Sequence, residues 1–115
     1  MCSSDLWLLD LEKAMPPEAA YIFLDQYEAG KYIEARYHLY PRRQILMAPQ
    51  APASFLYYAL QEYQASFLII RDRAAPLGPG AEALIRSTAS RPLDIPGPGR
   101  AFQVDCTRLQ GFFYD

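Results

Sequence analysis

Three pieces of sequence between Ala20 and Ala48 restrict the fold of this chain more than any other feature: an apolar run (AYIFL), an amphipathic segment ending in RYHLYPRR, and a second apolar run (QILMA). A buried strand, a helix with one wet face and another buried strand, in that order, spell a β-α-β unit whose strands lie parallel. The unbroken apolarity of AYIFL suits a sheet covered on both faces, as in α/β domains, because a half-wet strand alternates instead.

The pattern continues in both directions. Strand one is expected at Tyr21–Leu24, followed by a helix over Glu28–Leu39 that Asp25 and Glu28 open as a capping box. Ile33, Tyr37 and Tyr40 are expected to line its inner face, with Lys31, Glu34 and His38 toward water. Pro41 ends that helix. Strand two is Gln44–Ala48, and the loop Pro49–Pro52 leads to a helix over Ala53–Gln64 with Leu56, Ala59, Leu60 and Tyr63 facing inward. Strand three, Phe67–Ile70, is the most apolar and is expected at the centre of the sheet.

Ahead of this core, residues 7–15 predict a short helix in which Leu6, Trp7, Leu9 and Leu11 are the apolar positions, terminated by Pro16 and Pro17. Behind it, Gly78 and Pro79 fit the N-cap and first turn of a helix over Ala81–Ala89. Leu93 and Ile95, the turn Pro96-Gly97-Pro98-Gly99, and Phe102 and Val104 then read as an antiparallel hairpin. Arg91-Pro92 suits the start of an edge strand, where a missing donor costs little. The expected fold is α/β: a small three-layer, Rossmann-like domain with a parallel β-α-β-α-β core followed by a helix and an antiparallel edge hairpin. Right-handed crossovers would make the three parallel strands neighbours.

A chain of 115 residues, 51% hydrophobic, is large enough for one core and too small for two. Residues 1–115 are therefore one domain. A net charge of -2 argues against attraction to nucleic acid or to an anionic membrane, since no broad basic field offsets the acidic residues. Cys2 and Cys106 have no CxxC or His-rich setting, so neither a zinc site nor a disulfide framework is supported. No apolar run approaches the ~18 residues of a membrane span, and Met1–Met15 lacks the basic start and long apolar stretch of a signal peptide.

The first six residues, MCSSDL, match the translation of a common sequencing-adapter end with GTG read as the start codon. On that reading Met1–Leu6 are not native and the chain is the tail of a longer protein. The alternative is an ordinary N-terminus in which Ser4 or Asp5 caps the first helix.

The order of elements resembles the soluble extracytoplasmic tail of bacterial multi-spanning membrane glycosyltransferases that use polyprenyl-phosphate sugars, and of related membrane proteins. The residues that carry the resemblance are Met15-Pro16-Pro17-Glu18-Ala19-Ala20 leading into strand one, the tyrosine-rich helix running into RYHLYPRR over Arg36–Arg43, and Ala59-Leu60-Gln61-Glu62 ahead of the strand in Ala65–Ile70. The likeness covers most of the chain after Pro16. It implies a non-catalytic accessory domain on the extracytoplasmic face, with the membrane-spanning region of the parent protein as its partner and a sugar-phosphate carrier nearby. The catalytic acidic residues of such enzymes lie in membrane-proximal loops near the N-terminus, to which no segment here corresponds.

Two groups of residues are candidate sites. In an open parallel sheet, ligands gather beyond the carboxyl ends of the strands. Here those ends hold Asp25, Tyr27, Gln50, Arg71 and Arg73, a set that suits a phosphate or a sugar. The structural alternative, which is preferred, has Asp25 as a helix cap and Arg71-Asp72-Arg73 as a solvated loop. The second group is Arg36, Arg42 and Arg43 with Tyr37 and Tyr40. Guanidinium groups make bidentate bonds to phosphoryl oxygens and tyrosines stack on sugar rings. The structural alternative, again preferred, buries the two tyrosine rings beneath the sheet while the arginines pair with carboxylates or cover apolar surface.

No catalytic residue, metal ligand or cofactor is expected. Gly30 stands alone after strand one, so the dinucleotide fingerprint is missing. His38 reads as the exposed partner of Glu34 one turn earlier. Cys106 reads as a buried inert thiol, and Ser54, Ser66, Ser87 and Ser90 lack a hydrolase elbow. Two functions stay open: the membrane-protein accessory domain, and a free-standing cytosolic α/β domain that binds a nucleotide or phosphorylated small molecule. Association with another protein is a third, given nine tyrosines and six phenylalanines.

Overall fold

The computed structural model describes residues 3–25, 31–71, 78–95, 99–105 and 108. The elements run α1 (Ser3–Ala14), β1 (Ala20–Leu24), α2 (Lys31–Leu39), β2 (Arg43–Met47), α3 (Ala53–Glu62), β3 (Phe67–Arg71), α4 (Pro79–Arg86), β4 (Ser90–Leu93) and β5 (Gly99–Val104). The strands form one mixed sheet in the order β2-β1-β3-β5-β4. β1 is parallel to both β2 and β3, while β5 is antiparallel to β3 and to β4.

The apolar strands account for this order. All five residues of β1 are buried, as a strand with neighbours on both sides and helices on both faces requires. Side chains of a strand alternate between faces, and the core divides accordingly. Ile22, Leu24, Leu68, Ile70, Phe102 and Val104 meet α3 and α4. Tyr21, Phe23, Phe67, Ile69 and Ala101 meet α1 and α2. The domain thus has three layers, with the sheet between two pairs of helices. β3 lies at the centre, as its composition predicts, and the hairpin supplies one interior strand, β5, and one edge strand, β4. Pro92 falls on that edge strand, in register with Phe102.

In α1 the inward residues are Trp7, Leu8 and Leu11, joined by Met15 after the helix, while Leu9 is 46% exposed. Two expectations about helix faces, those for α2 and α3, are corrected. In α3 Leu56, Ala59 and Leu60 are buried as expected, but Tyr63 ends the helix and faces out. In α2 the apolar stripe is inverted. Ala35 and Leu39 form the buried face, and Ile33, Tyr37 and Tyr40 are 60%, 74% and 77% exposed. At 100° per residue the stripe of residues 33, 37 and 40 lies nearly opposite that of residues 35 and 39. Glu28, the second half of the expected capping box, lies outside the described residues.

Two glycines set the packing on the α3 and α4 side. Gly78 caps α4 and donates its N–H to the Pro49 carbonyl at 3.0 Å. A Cβ at Gly80 would overlap the Ala53 amide nitrogen and lie 2.9 Å from the Pro52 carbonyl carbon, so the starts of α3 and α4 touch through backbone. On the other face the Trp7 ring sits against Gly99, where a Cβ would lie 2.7 Å from it. No described helix is long and apolar enough to cross a membrane.

Candidate functional site

The route of the chain defines one crevice. From β1 it steps outward through α2 to β2, then crosses back over β1 through α3 to β3, and from β3 it continues through α4 to the far side, so the connections that leave β1 and β3 run in opposite directions. Ligands in open α/β sheets bind beyond the carboxyl ends at such a reversal. Asp25 follows β1 directly and is 1% exposed, with its backbone N–H donating to the Met47 carbonyl at 3.2 Å. Gln50 lies exposed on the turn after β2, and its backbone is in close contact with Gly78. Arg71 is the last residue of β3, paired in register with Gly99. The strand ends therefore bring Asp25, Gln50 and Arg71 to the same end of the sheet. Tyr27 and Arg73 lie outside the described residues.

The arginine and tyrosine group divides by role. Arg42 is a buried residue whose Nε and Nη2 donate to the Met15 carbonyl at 3.0 and 2.7 Å, and whose Nη2 also donates to the Glu12 carbonyl at 2.8 Å. Its Nη1 reaches the Leu39 carbonyl at 3.4 Å. These are carbonyls at the ends of α1 and α2, which have no partner within their own helices. The partial negative charge of two helix C-termini also favours a cation there. Arg42 is thus structural, through backbone carbonyls rather than through carboxylates. Arg36 is exposed on α2, and the Arg43 guanidinium lies 5.8 Å from the centre of the Tyr63 ring. Of the three arginines, Arg42 is taken up by backbone carbonyls and Arg43 lies over the Tyr63 ring, while Arg36 stays exposed.

The remaining polar candidates are occupied structurally or lie elsewhere. His38 packs against the Tyr37 ring at 5.6 Å, and the described ion pairs are Arg86 with Glu82 and Arg108 with Asp105, so the expected pairing of His38 with Glu34 is not made. The hydroxyls of Ser87 and Ser90 both donate to the Leu84 carbonyl, at 2.8 and 2.7 Å, closing the end of α4. Cys106 lies outside the described residues. Among the described residues no group of His, Cys, Asp and Glu is arranged to hold a metal ion.

The more distinctive surface is apolar and surrounds β2, the outer strand of the sheet. On one side a groove of about 570 Å3 is lined by Ile45, Met47, Phe55, Tyr58, Ala59 and Tyr63, among others. On the other face the outer stripe of α2 presents Ile33, Tyr37 and Tyr40 beside Arg36. Periodicity locates the α2 stripe but does not say what it faces. Phe55 and Tyr58, absent from the sequence-based candidates, are apolar positions of α3 that fall off its inward stripe, and that offset is the signal that could have found them. No known protein family, curated protein or solved structure matches the chain.

Proposed function

We propose that this chain is a non-catalytic, soluble, Rossmann-like accessory domain of an integral membrane protein of the glycosyltransferase-like kind, positioned on the extracytoplasmic face. The observation that carries the reading is the outward stripe of Ile33, Tyr37 and Tyr40 with Arg36. It belongs to the tyrosine-rich helix and RYHLYPRR segment on which the resemblance rests. Tyrosine and arginine beside aliphatic surface is the composition of protein that meets the headgroup layer or the ends of membrane-spanning helices. In this role the segment has two jobs: Arg42 fastens α2 to α1 from within, and the stripe contacts the membrane-spanning region of the parent protein. A sugar-phosphate carrier held by that region would lie within reach of the exposed Arg36.

Long-read sequencing of the source DNA through the codons for Met1–Trp7 tests this directly. An in-frame upstream region encoding several apolar runs of ~20 residues is the expected result. A native stop followed by a start at Met1 would remove the reading.

One observation favours a second reading. Asp25 is almost wholly buried at the carboxyl end of β1, between β2 and β3 in the strand order, and supports this reading because open α/β sheets bind ligands beyond such strand ends. A cytosolic domain binding a nucleotide or other phosphorylated small molecule there would show amide shifts at Asp25, Gln50 and Gly78 on titration with a nucleoside diphosphate. Unchanged spectra at millimolar ligand would remove it.

A further inference from the structure

We propose that the groove between β2 and α3 binds a single-chain aliphatic carboxylate, of the fatty-acid class, with its chain along the groove and its head group on Arg43. The groove lies on the opposite face of the sheet from the α2 stripe. The inference therefore goes beyond the accessory-domain reading and does not depend on it.

The groove follows from how α3 is held. Backbone contact at Gly80 sets the start of α3 against α4, and Leu56, Ala59 and Leu60 pack inward over the sheet. β2 is the outer strand, and its residues 44–47 are only half-buried. A helix drawn toward α4 leaves this face of the outer strand incompletely covered, and the trench between them measures about 570 Å3. Small-molecule sites span roughly 300–1,000 Å3.

The trench is long and has a charge at one end. Side chains alternate between faces along a strand. Ile45 and Met47 pack on the α3 side, so Arg43 projects to that side as well. The turn after Met47 leads into α3, which runs back along β2 and ends with Tyr63 beside Arg43. The guanidinium lies 5.8 Å from the centre of the Tyr63 ring. From Arg43 to Met47 the strand wall covers about 13 Å, and from Ser54 to Tyr63 the helix wall covers about 14 Å. The lining between these walls is aliphatic and aromatic and contains no charged residue. A straight apolar trench ending at a single cation is the complement of a hydrocarbon chain with an anionic head.

The charge also selects the head group. Arg43 is exposed, and among the described residues it forms no ion pair; those formed are Arg86 with Glu82 and Arg108 with Asp105. A guanidinium over a ring face keeps its edge donors available, and that fork matches the two oxygens of a carboxylate. One cation balances one negative charge. A phosphate monoester carries close to two at neutral pH, and no second cation lines the groove. Phe55 and Tyr58 are 61% and 60% exposed in the free chain. An aliphatic chain lying between them and β2 removes that surface from water, which is the driving force for binding.

Isothermal titration of the chain with decanoate, kept below its micelle concentration, tests the proposal. The expected result is saturable one-to-one binding, weakened about ten- to a hundredfold by Arg43→Gln, the loss that follows removal of a charge-assisted hydrogen bond. Decanol, which has no charge, should bind the wild type and Arg43→Gln alike. Phe55→Glu/Tyr58→Glu should abolish binding of both ligands with circular dichroism unchanged, and Tyr37→Ser, on the other face, should leave it unaltered. Amide shifts on titration should centre on Ile45, Met47 and Ala59. An absence of binding at millimolar decanoate, binding indifferent to Arg43→Gln, or shifts centred on Ile33 and Tyr37 would each overturn the proposal. Tighter binding of decyl phosphate than of decanoate would assign the head group to a phosphoryl and overturn the carboxylate. Cosedimentation with phosphatidylglycerol vesicles through Phe55 and Tyr58, without binding of decanoate, would assign the face to a lipid surface and overturn the proposal as well.

Discussion

Arg42 and Met15, twenty-seven residues apart, are joined by two hydrogen bonds to one carbonyl, from Nε at 3.0 Å and from Nη2 at 2.7 Å. The same guanidinium reaches the Glu12 and Leu39 carbonyls, so a single planar cation closes the C-termini of α1 and α2 at once. The fork geometry matters, because a lysine has no fixed array of donors to span carbonyls on two helices.

Arg42→Ala is therefore expected to destabilise the domain by roughly 2–4 kcal/mol, since it removes charge-assisted bonds and leaves buried carbonyls without donors. Arg42→Lys should recover only part of this. Urea unfolding followed by circular dichroism measures both. A loss under about 0.5 kcal/mol for Arg42→Ala, the scale of an ordinary surface substitution, would return Arg42 to the pool of ligand-binding candidates.

Tyr21 supplies a pH-dependent prediction. Burial raises its pKa to about 12, against the opposing pull of the Gln44 hydrogen bond and of the Arg36 and Arg42 charges. The hydroxyl accepts from Gln44 Nε2 at 3.1 Å. In the unfolded chain the phenol ionises near its ordinary value of 10.0, and in the folded chain only near 12. The contribution of the neutral phenol is thus fully present below pH 10 and is lost as pH rises from 10 toward about 12. Unfolding free energies of the wild type and of Tyr21→Phe across that window should converge or cross, because the variant lacks this titration. Parallel curves would show that the phenol is reached by solvent.

Gly80 gives a prediction whose sign decides the packing. In an open helix, glycine to alanine stabilises by about 1 kcal/mol through propensity. Here the new Cβ would overlap the Ala53 amide, and the two backbones cannot part without opening the contact between α3 and α4. Gly80→Ala is expected to cost about 1–3 kcal/mol, read as a lowered midpoint in thermal unfolding. A raised midpoint would mean that the starts of the two helices stand further apart.

The strands were legible because burial on both faces leaves a direct mark: AYIFL and FLII admit no wet side, and both lie inside the sheet. Gly78 and Pro79 likewise marked the start of α4 through local backbone chemistry. What was hidden depends on partners distant in sequence. The role of Arg42 requires the ends of α1 and α2 to meet, and no local pattern records that meeting. At the crevice, topology brings Asp25, Gln50 and Arg71 to one end of the sheet, and this followed from the β-α-β order alone. The orientation of α2 was hidden for a different reason. Its apolar stripe is plain, but a helix with a small inner face of Ala35 and Leu39 and a large outer face of Ile33, Tyr37 and Tyr40 gives the stronger periodic signal to the wrong side.

That inversion can be tested residue by residue. Leu39 is fully buried between α2 and the sheet, so Leu39→Ala should cost about 2–5 kcal/mol through lost transfer energy and the cavity left behind. Ile33 and Tyr37 are larger together but mostly wet, and Ile33→Ser and Tyr37→Ser should each change stability by less than about 0.5 kcal/mol. If α2 instead turned its stripe inward, the two tests would exchange outcomes, with the tyrosine substitution the most damaging. Chemical denaturation of the three variants separates the cases. Under the proposed accessory-domain function, Ile33→Ser and Tyr37→Ser would in addition weaken binding to a membrane-spanning partner while leaving the fold intact, because both side chains are exposed.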